Sequence, residues 1–391
     1  MIKTITLKKN EDRRIQNGHL WAFSNEIAKI EGEPKAGDIV ELHNHAGNFI
    51  GKGFFNPSSL IAVRLLTRHK EETIDFEYFR KRIASSLQLR RQMYPDAESF
   101  RIVHGEADFL PGLIIDKYND FVSLQAFSYG MDSRLTLICD VIDSLLHPGA
   151  IIERNETIFR QLEGLEQKKG LLRGSGNETV ITENGIKYKI NLLDGQKTGF
   201  FLDQRENRKA FRRYVKGCRV LDCFCNDGGF ALNAAFAEAS EVIGVDVSQA
   251  AVNNASGNAK LNNLDHRARF IAEDAFEYLK SAALRSEKLD VIALDPPSFA
   301  KNKKTVRRAQ RGYKELHTLA LSILKPNGIL ATASCSHHIY EETFIEIINT
   351  CARAAGRDIS LLEWHGASLD HPVLPTMPET KYLKFGIFRV I

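Results

Sequence analysis

The sequence predicts an α/β protein in which a doubly wound parallel sheet follows a β-rich domain and a small α+β domain. Strands and helices alternate from Arg219 onward, a pattern typical of a parallel sheet with crossover helices. Residues 1–70 are short alternating apolar stretches broken by glycine and proline, and the Gly/Ser/Asn-rich stretch at 173–179 marks the clearest boundary. We therefore expect domains at 1–70, 71–180 and 181–391, within the two or three that 391 residues accommodate.

Local patterns predict the elements of the first two domains. ITLKK, GDIVELHNHAGNFIGKGFFNP and LIAVRLL have the spacing of strands, and Glu11 to Gln16 is predicted to be helical. Residues 74–92 have apolar positions three and four apart, which predicts a helix with a basic outer face. RIVHGEADFLPGLIIDKYNDFVSLQAF then predicts two or three strands, and DSRLTLICDVIDSLL predicts a helix.

The third domain is predicted to begin with a hairpin, YKINLLDGQKTGFFL, that leads into a basic helix, DQRENRKAFRRYVKG. The expected sheet strands are RVLDCFC, EVIGVDV, RARFIAED, LDVIALDPP and GILATASCS. Because helical stretches separate all five, the strands are expected to run parallel in one sheet.

Composition excludes several classes of protein. Lys and Arg total 53 against 49 acids, so the net charge of +4 disfavours a polycation but allows a local basic face. Six cysteines are too few for a disulfide framework in a chain of this length. No apolar run approaches the ~18 residues that cross a bilayer, and MIKTITLKKN lacks the apolar core of a signal peptide. We expect a cytoplasmic protein with reduced thiols and no membrane partner.

Four acids follow or end successive strands of the predicted sheet: Asp222, Asp246, Asp274 and Asp295. Ligands of such sheets bind at the carboxyl ends of the strands. Any one of these acids alone is best explained as a helix cap or turn residue. Four of them in register favour a binding site.

The pattern of acids indicates which nucleotide-like ligand the site holds. The loop CFCNDGG has only Gly228 and Gly229, without the GxGxxG of a dinucleotide site or a GK[ST] motif. A carboxylate at the first strand repels phosphate and suits a cation. S-Adenosylmethionine offers an amino group to Asp222, a ribose diol to Asp246 and an adenine amino group to Asp274, so it is favoured over NAD or ATP.

The DPPSF segment at 295–299 predicts a rigid turn after the fourth strand, because proline restricts the backbone. Asp295 can then hydrogen-bond the edge of a target base. Amino-group methyltransferases have an aromatic residue directly after the second proline, where it stacks on the flipped base. Here Ser298 stands in that place and Phe299 is displaced by one, which disfavours an adenine amino group as target.

Cys335 ends the fifth strand, in ATASCSHH, on the same predicted edge as Asp295. A thiolate there suggests covalent catalysis, in which sulfur attacks carbon-6 of a pyrimidine and makes carbon-5 nucleophilic. Cys139, Cys218 and Cys351 are expected to be packing residues. Cys223 and Cys225 have neither zinc spacing nor a partner pair, so no metal site is predicted.

Two basic runs flank the predicted active edge and are interpreted as phosphate contacts. KNKKTVRRAQRGYK at 301–314 has seven basic residues and no acid, and the second run spans 205–219. The expected RNA-binding residues of the first run are Lys301, Lys303, Lys304, Arg307, Arg308 and Arg311.

These motifs resemble those of the RlmI-type large-subunit ribosomal RNA 5-methylcytosine methyltransferases. The resemblance covers nearly the whole chain and includes RRIQNGHLWAFSNEI, GEADFLPGLIIDKYND, GQKTGFFLDQRENR, LDCFCNDGGFALNAA, DPPSFAKNKK, RGYKEL, SCS and DHPVLPTMPETKYLKFGIFRV. It implies a PUA RNA-binding domain at 1–70, a class I (Rossmann-like) methyltransferase sheet, methylation of cytosine carbon-5 in 23S-type ribosomal RNA, and homodimers.

The resemblance also implies roles for single residues. Cys335 would be the nucleophile and Asp295 would bind the base; Pro297 stands where many other RNA cytosine methyltransferases have a second cysteine, so Cys335 would act alone. Arg13 and Arg14 would contact RNA. The implied cofactor contacts are Asp222, Phe224, Asn226, Gly228, Asp246, Val247, Asp274, Ala275 and Asp295, with Thr198, Phe201 and Gln204 in the segment that covers the cofactor.

Two alternatives stay open at this point. Related DPP-containing enzymes methylate a guanine nitrogen without a cysteine, so the target could be guanine. A third hypothesis is an RNA-binding assembly factor with a degenerate catalytic domain, which the intact acids and Cys335 disfavour.

Overall fold

The computed structural model describes residues 3–300 and 303–391, and for Lys303 only the backbone. The chain divides into two compact units. The first unit comprises 1–181, 190–202 and 369–380, and the second comprises 182–189, 203–368 and 381–391. The three-domain division proposed above stays a prediction.

The N-terminal part of the first unit is a six-stranded sheet. Its strands are β1 (Thr4–Leu7), β2 (Trp21–Phe23), β3 (Ile27–Glu31), β4 (Ile39–His43), β5 (Phe49–Phe55) and β6 (Ile61–Thr67), in the order β2-β6-β5-β4-β1-β3, with α1 (Arg13–Gln16) after β1. Alternate residues such as Ile5, Leu42 and Val63 point into its core. The prediction of a β-rich segment is confirmed, although the helix begins at Arg13 and not at Glu11.

The second sheet of this unit has five strands in the order β11-β10-β9-β8-β7. Its elements are α2 (Phe76–Met93), β7 (Ser99–His104), β8 (Leu113–Tyr118), β9 (Phe121–Ala126), α3 (Tyr129–Asp132), α4 (Leu135–Leu146), β10 (Ala150–Asn155), α5 (Phe159–Leu162) and β11 (Lys168–Gly174). Phe79 of α2 and Ile142 of α4 pack with Ile115 of β8 in one core, so this segment is α+β as expected.

A hairpin connects to the main sheet, but earlier in the chain than the sequence analysis placed it. Its strands are β12 (Glu178–Glu183) and β13 (Ile186–Asn191). Asn184 (φ 50°) and Gly185 (φ 84°) form its two-residue turn. Asn-Gly is the strongest short-range signal for a hairpin, because both central residues of a type I′ turn need positive φ. The expected start at Tyr188 was therefore wrong.

The second unit is built on a seven-stranded sheet with helices between its strands. Its elements are α6 (Arg205–Phe211), β14 (Arg219–Cys223), α7 (Gly229–Phe236), β15 (Glu241–Asp246), α8 (Gln249–Leu261), β16 (Ala268–Ala272), α9 (Ala275–Leu284), β17 (Leu289–Leu294), α10 (Val306–Ile323), β18 (Leu324–Ser334), α11 (Glu341–Ala354), β19 (Ile359–His365) and β20 (Lys384–Val390). The order is β16-β15-β14-β17-β18-β20-β19, in which the first five strands are parallel and β20 is antiparallel to both neighbours. The doubly wound α/β prediction is confirmed.

The strand order determines where a ligand binds. The chain moves from β14 outward to β15 and β16, and then returns to β17 on the other side of β14. At such a switch point the connecting loops diverge and leave a crevice outside the carboxyl ends of the strands. The buried strand residues are nearly all apolar, as in β17, where Val291 to Leu294 are all buried. Among the described residues, no helix is long and apolar enough to cross a bilayer.

Several residues of the basic run at 205–219 form ion pairs within the second unit, and phosphate contacts of this run stay a prediction. Arg208 Nε and Nη2 donate to Glu183 at 2.7 and 2.9 Å, and both side chains are fully buried. Arg213 pairs with Glu363, Lys216 with Glu238, and Arg219 with Glu241. Basic residues next to each other in sequence have carboxylate partners from distant parts of the same unit, which the sequence alone did not show.

We expect Glu183→Gln to destabilise the protein strongly, because it removes the buried carboxylate to which the Arg208 guanidinium donates two hydrogen bonds. A broken buried pair costs about 3–5 kcal/mol. The control is Arg213→Gln, which removes an exposed partner of Glu363 and is expected to cost less than about 1 kcal/mol. Urea denaturation followed by circular dichroism measures both changes in the free energy of unfolding. Equal costs for the two variants would contradict the assignment.

Candidate active site

The side chains predicted to form a site lie at the carboxyl edge of the sheet. Asp222 is the penultimate residue of β14, Asp246 ends β15, Asp295 directly follows β17 and Cys335 directly follows β18. Because β14 lies between β15 and β17, the first three acids are on adjacent strands at the switch point. Asp274 comes two residues after β16 and caps α9.

The loop after β14 has a backbone conformation that usually requires glycine. Phe224, Asn226 and Gly228 have φ values of 66°, 44° and 87°. The amides of Phe224 and Cys225 both donate to Val245 O, at 2.8 and 3.0 Å, so the loop folds back onto β15. Left-handed conformations in residues with a side chain cost roughly 1–2 kcal/mol and are concentrated at functional sites. The three residues that the resemblance assigns to the cofactor loop therefore share this uncommon conformation.

Asp222 is the most unusual carboxylate of the edge. Its side chain is buried, and Oδ2 accepts from the Ala231 amide at 2.8 Å in the first turn of α7. Oδ1 has no hydrogen-bond partner among the described residues although it is inaccessible to solvent. Burial raises the pKa of Asp222 well above its usual value, and the charges of Asp295 and Asp246 raise it further. A cationic ligand group is the partner this oxygen lacks.

Asp246 and Asp274 hold backbone amides at the same edge. Asp246 accepts from the Asn226 amide at 3.0 Å and from the Ser248 amide at 2.9 Å, one on each oxygen. Asp274 Oδ1 accepts from the amides of Phe276 and Glu277, as expected of a helix cap. Val247 is exposed and Ala275 is buried. Their contacts with a cofactor stay predictions.

Sequence reasoning missed an asparagine ladder that supports the cofactor loop. Asp227 is nearly buried, and its Oδ1 accepts from Asn254 Nδ2 at 2.6 Å while its carbonyl accepts from Asn258 Nδ2 at 3.2 Å. Asn258 Oδ1 also accepts from the Lys189 amide of β13, and Asn262 binds the same strand edge. The signal was available, since Asn254, Asn258 and Asn262 recur every four residues on one face of α8.

Cys335 sits between two serines that join it to the DPPSF loop. Ser334 Oγ accepts from the Tyr313 hydroxyl at 2.9 Å, and that hydroxyl is also 3.3 Å from Ser336 Oγ. Ser336 Oγ lies 3.1 Å from Ser298 Oγ. Burial raises the pKa of Tyr313 to about 12, so its hydroxyl stays protonated. The structure thus brings the segment after Asp295 and the backbone of Cys335 together through one hydroxyl cluster.

The other cysteines differ from Cys335 in position and exposure. Cys139, Cys223, Cys225 and Cys351 are buried, and burial raises the pKa of each of these thiols. Cys218 is partly exposed, but it directly precedes β14 at the amino edge of the sheet. Cys335 is therefore the partly exposed thiol at the edge where the acids meet.

The residues expected to cover the cofactor are hydrogen-bonded inside their own units. In the first unit, Thr198 Oγ1 donates to Asp116 Oδ2 at 2.5 Å, and Lys197 Nζ lies 4.5 Å from the ring centre of Phe201. In the second unit, Gln204 Oε1 accepts from Asn207 Nδ2 at 2.6 Å. Their role toward the cofactor stays a prediction.

The first basic run forms an exposed face at the start of α10. Lys304, Arg307, Arg308 and Arg311 are all exposed and lie on one side of the helix, with no ion pair to any part of the chain that the structure describes. Lys301 and the side chain of Lys303 lie outside the described residues.

The two N-terminal arginines differ. Arg13 is exposed. Arg14 donates to Glu26 at 2.7 Å, and its guanidinium lies 4.7 Å from the ring centre of Phe23. Its guanidinium therefore contacts residues of the N-terminal β-rich segment. Across the ranges 3–300 and 303–391, no group of three or more His, Cys, Asp or Glu side chains is arranged to hold a metal ion.

Comparison with known proteins agrees with this geometry. A family profile described as a PUA-like domain matches residues 5–68, and one described as an S-adenosylmethionine-dependent methyltransferase matches residues 167–363. A "Ribosomal RNA large subunit methyltransferase I" from Tolumonas auensis is 39% identical over 100% of both chains, and one from an Enterobacter species is 36% identical over 99% of each. The crystal structure of SMU.776 complexed with SAH aligns over 100% of both chains with a TM-score of 0.86 at 22% identity, a likeness of fold.

Fold and site together define a class I S-adenosylmethionine-dependent methyltransferase with an N-terminal PUA-like domain. More particularly, the chain belongs to the ribosomal RNA large subunit methyltransferase I family. The residues fit the cofactor, because the unpartnered Asp222 Oδ1 can accept from its amino group and an edge of carboxylates tolerates its sulfonium.

We expect cofactor binding to release protons from Asp222. Its raised pKa means that the free protein keeps this carboxyl protonated over a wider pH range, whereas an ammonium ligand favours the ionised form. Affinity for S-adenosylhomocysteine should therefore rise with pH, and binding should release protons at a pH where the free carboxyl is still protonated. Calorimetry in buffers of different ionisation enthalpy measures the release.

The variant Asp222→Asn is expected to bind the ligand more weakly and without this proton release. Asp274→Asn is the matched control, because its carboxylate is exposed and caps a helix, and it should release protons as the wild type does. Equal release by wild type and Asp222→Asn would show that another group titrates.

Proposed function

We propose that this protein methylates carbon-5 of a cytosine in large-subunit ribosomal RNA of the 23S type, with Cys335 as the nucleophile. The observation that carries the proposal is the hydroxyl cluster through which Ser298 and Ser336 join the loop after Asp295 to the strand end at Cys335. Such a cluster would keep Asp295 and Cys335 in a fixed relative position. A reaction in which one group binds a base while a thiol attacks it requires this. The proposal also draws on relatives named as ribosomal RNA large subunit methyltransferases.

The reaction uses the thiolate of Cys335 to activate an otherwise poor nucleophile. Sulfur forms a bond to carbon-6, and the electron pair of the carbon-5 to carbon-6 double bond becomes available at carbon-5, which takes the methyl group. Loss of the carbon-5 proton to a base then re-forms the double bond as the carbon–sulfur bond breaks and its electron pair returns to sulfur. Asp295, hydrogen-bonded to the base, stabilises the charge that develops on the ring.

The bound cofactor supplies the electrophilic methyl group. The chain's own contribution is to hold the reactants close together and to exclude alternative geometries. Asp222 would orient the amino group of the cofactor, and Asp246 its ribose. The positive-φ loop from Phe224 to Gly228 leaves room at the switch point, since its backbone turns back onto β15.

The RNA would lie against the exposed arginines of α10. Arg307, Arg308 and Arg311 lie in the basic run that follows the DPPSF segment and have no carboxylate partner among the described residues. Phosphate contacts of this kind supply affinity without sequence information. The PUA-like domain would supply a further RNA surface that includes the exposed Arg13. A cytoplasmic location and a homodimer belong to the same proposal.

A guanine target is the second candidate, and Cys335 distinguishes it, since methylation of a guanine nitrogen needs no thiol. The third candidate, a degenerate assembly factor, predicts that no methyl group is transferred. Mass spectrometry of nucleosides from ribosomal RNA of a strain that lacks this protein, before and after treatment with the purified enzyme, separates the three. The proposal requires 5-methylcytosine to appear.

Cys335→Ala is expected to abolish methyl transfer while it leaves cofactor binding intact. Loss of a covalent nucleophile costs on the order of a thousandfold or more in rate. Transfer of labelled methyl groups to ribosomal RNA measures the rate, and calorimetry with S-adenosylhomocysteine measures binding. Cys218→Ala, at the opposite edge of the sheet, is the control and should retain activity. Full activity of Cys335→Ala would exclude the covalent mechanism.

A triple variant in which glutamine replaces Arg307, Arg308 and Arg311 is expected to bind RNA more weakly. Its RNA affinity should also depend less steeply on salt. Each lost phosphate contact lowers the slope of log affinity against log salt by about 0.7–0.9, so three contacts lower it by roughly 2–3. Filter binding of deproteinised ribosomal RNA at several salt concentrations measures the slope. The control replaces Arg213 and Arg219, whose partners are Glu363 and Glu241, and an equal effect there would refute the α10 surface.

A further inference from the structure

A lysine is buried directly beside the backbone of Cys335. In the antiparallel pairing of β18 and β20, Lys384 stands opposite Ser334, the residue before Cys335. Its side chain is only 4% exposed, and Nζ donates to Ser336 O, the residue after Cys335, at 2.8 Å. Directly opposed residues have side chains on the same face of a sheet. The Lys384 side chain therefore spans the strand end on which the nucleophile lies.

No carboxylate among the described residues is in ion-pair contact with Lys384. The nearest acid on α11, Glu341, is bound by Lys381 at 2.8 Å and by the Trp364 indole at 2.8 Å. Burial of an ammonium is costly without a compensating charge. The anionic form of Cys335 is the strongest favourable charge that acts on Lys384, ahead of Glu341.

The titration of Lys384 is consistent with this placement. Burial lowers the pKa of Lys384 to about 8; the charges of Cys335 and Glu341 oppose this lowering, and Lys381 adds to it. Tyr313 of α10 interacts electrostatically with Cys335 and with Asp295, which follows β17. Because the Tyr313 hydroxyl stays protonated, the Lys384 ammonium is a cationic charge that favours the thiolate form of Cys335.

We propose that Lys384 is a positioning residue that serves as the charge partner of Cys335, an inference that rests on the proposed nucleophilic role of this thiol. The Cys335 thiol gives up its proton to water, and the Lys384 ammonium stabilises the thiolate that remains. The sulfur electron pair then forms the bond to carbon-6. When that bond breaks at the end of the reaction, the pair returns to sulfur and the ammonium again stabilises the thiolate as the leaving group.

The test is the pH dependence of Cys335 alkylation by iodoacetamide, followed at the single peptide by mass spectrometry. The wild-type midpoint is expected below the ordinary cysteine value of about 8.5, because a neighbouring ammonium favours the thiolate. Lys384→Gln keeps a donor for Ser336 O but removes the charge, and should raise the midpoint by about one pH unit, a roughly tenfold loss of thiolate near neutral pH. Lys384→Arg keeps the charge and should keep the low midpoint.

Lys381→Gln is the matched control, because it removes the same charge three residues earlier from an exposed lysine already paired with Glu341. Its midpoint should stay close to that of the wild type. An unchanged midpoint in Lys384→Gln would overturn the inference, as would an equal rise in the control. Should Lys384→Gln not fold, as judged by circular dichroism, Lys384→Met is measured by the same criterion.

The experiment needs neither RNA nor cofactor, so its outcome is independent of which base is methylated. A raised midpoint in Lys384→Gln together with failure to form 5-methylcytosine would leave the charge pair standing and overturn the proposed target. The opposite combination would retain the cytosine target and remove Lys384 from the mechanism.

Discussion

The buried carboxylate of Asp222 is the constraint on which the geometry of the site depends. One of its oxygens ties the start of α7 to the end of β14, and the other is inaccessible to solvent without a partner. A protein tolerates such an oxygen when a ligand donates the missing hydrogen bond, since an unsatisfied buried polar group costs about 1–3 kcal/mol. In the loop that follows, Phe224 and Asn226 have positive φ, and the Asn226 amide donates to Asp246. The local cost in stability is consistent with the proposed contact of Asp222 with a cationic group.

The second part of the site is organised by hydroxyl groups. Tyr313 of α10 reaches both Ser334 and Ser336, so a helix whose first turns are basic is anchored directly at the strand end that carries Cys335. Because the same Ser336 contacts Ser298, a shift of the helix would move the loop after Asp295 and the strand end at Cys335 together. A reaction that needs a thiol and a carboxylate on one base benefits from such a common support, since small misplacements are costly.

The fold and the ends of the sheet strands could be predicted from the sequence because both follow from local patterns. Alternation of strands and helices specifies a parallel sheet, and a parallel sheet brings successive strand ends such as Asp222 and Cys335 to one edge. Ion-pair partners that are distant in sequence leave no such local pattern. The ion pairs of the basic run at 205–219 could not be predicted, because carboxylates such as Glu183 come from distant segments. The contacts of Arg14 with Glu26 and Phe23 were likewise not predicted from the sequence.

The position of Lys384 follows from the register of its strand and could not be predicted from the composition of the sequence. In the sequence it lies 49 residues after Cys335, within an apolar C-terminal strand where a lone lysine would be assigned to the surface. Only the insertion of β20 between β18 and β19 places it opposite Ser334. The site then has opposite charges at its two ends: carboxylates gather at β14 and β15, where the proposed cofactor contacts lie, whereas an ammonium stands beside the end of β18, where the proposed nucleophile lies. One sheet edge can serve both needs because each strand end contributes its own charge.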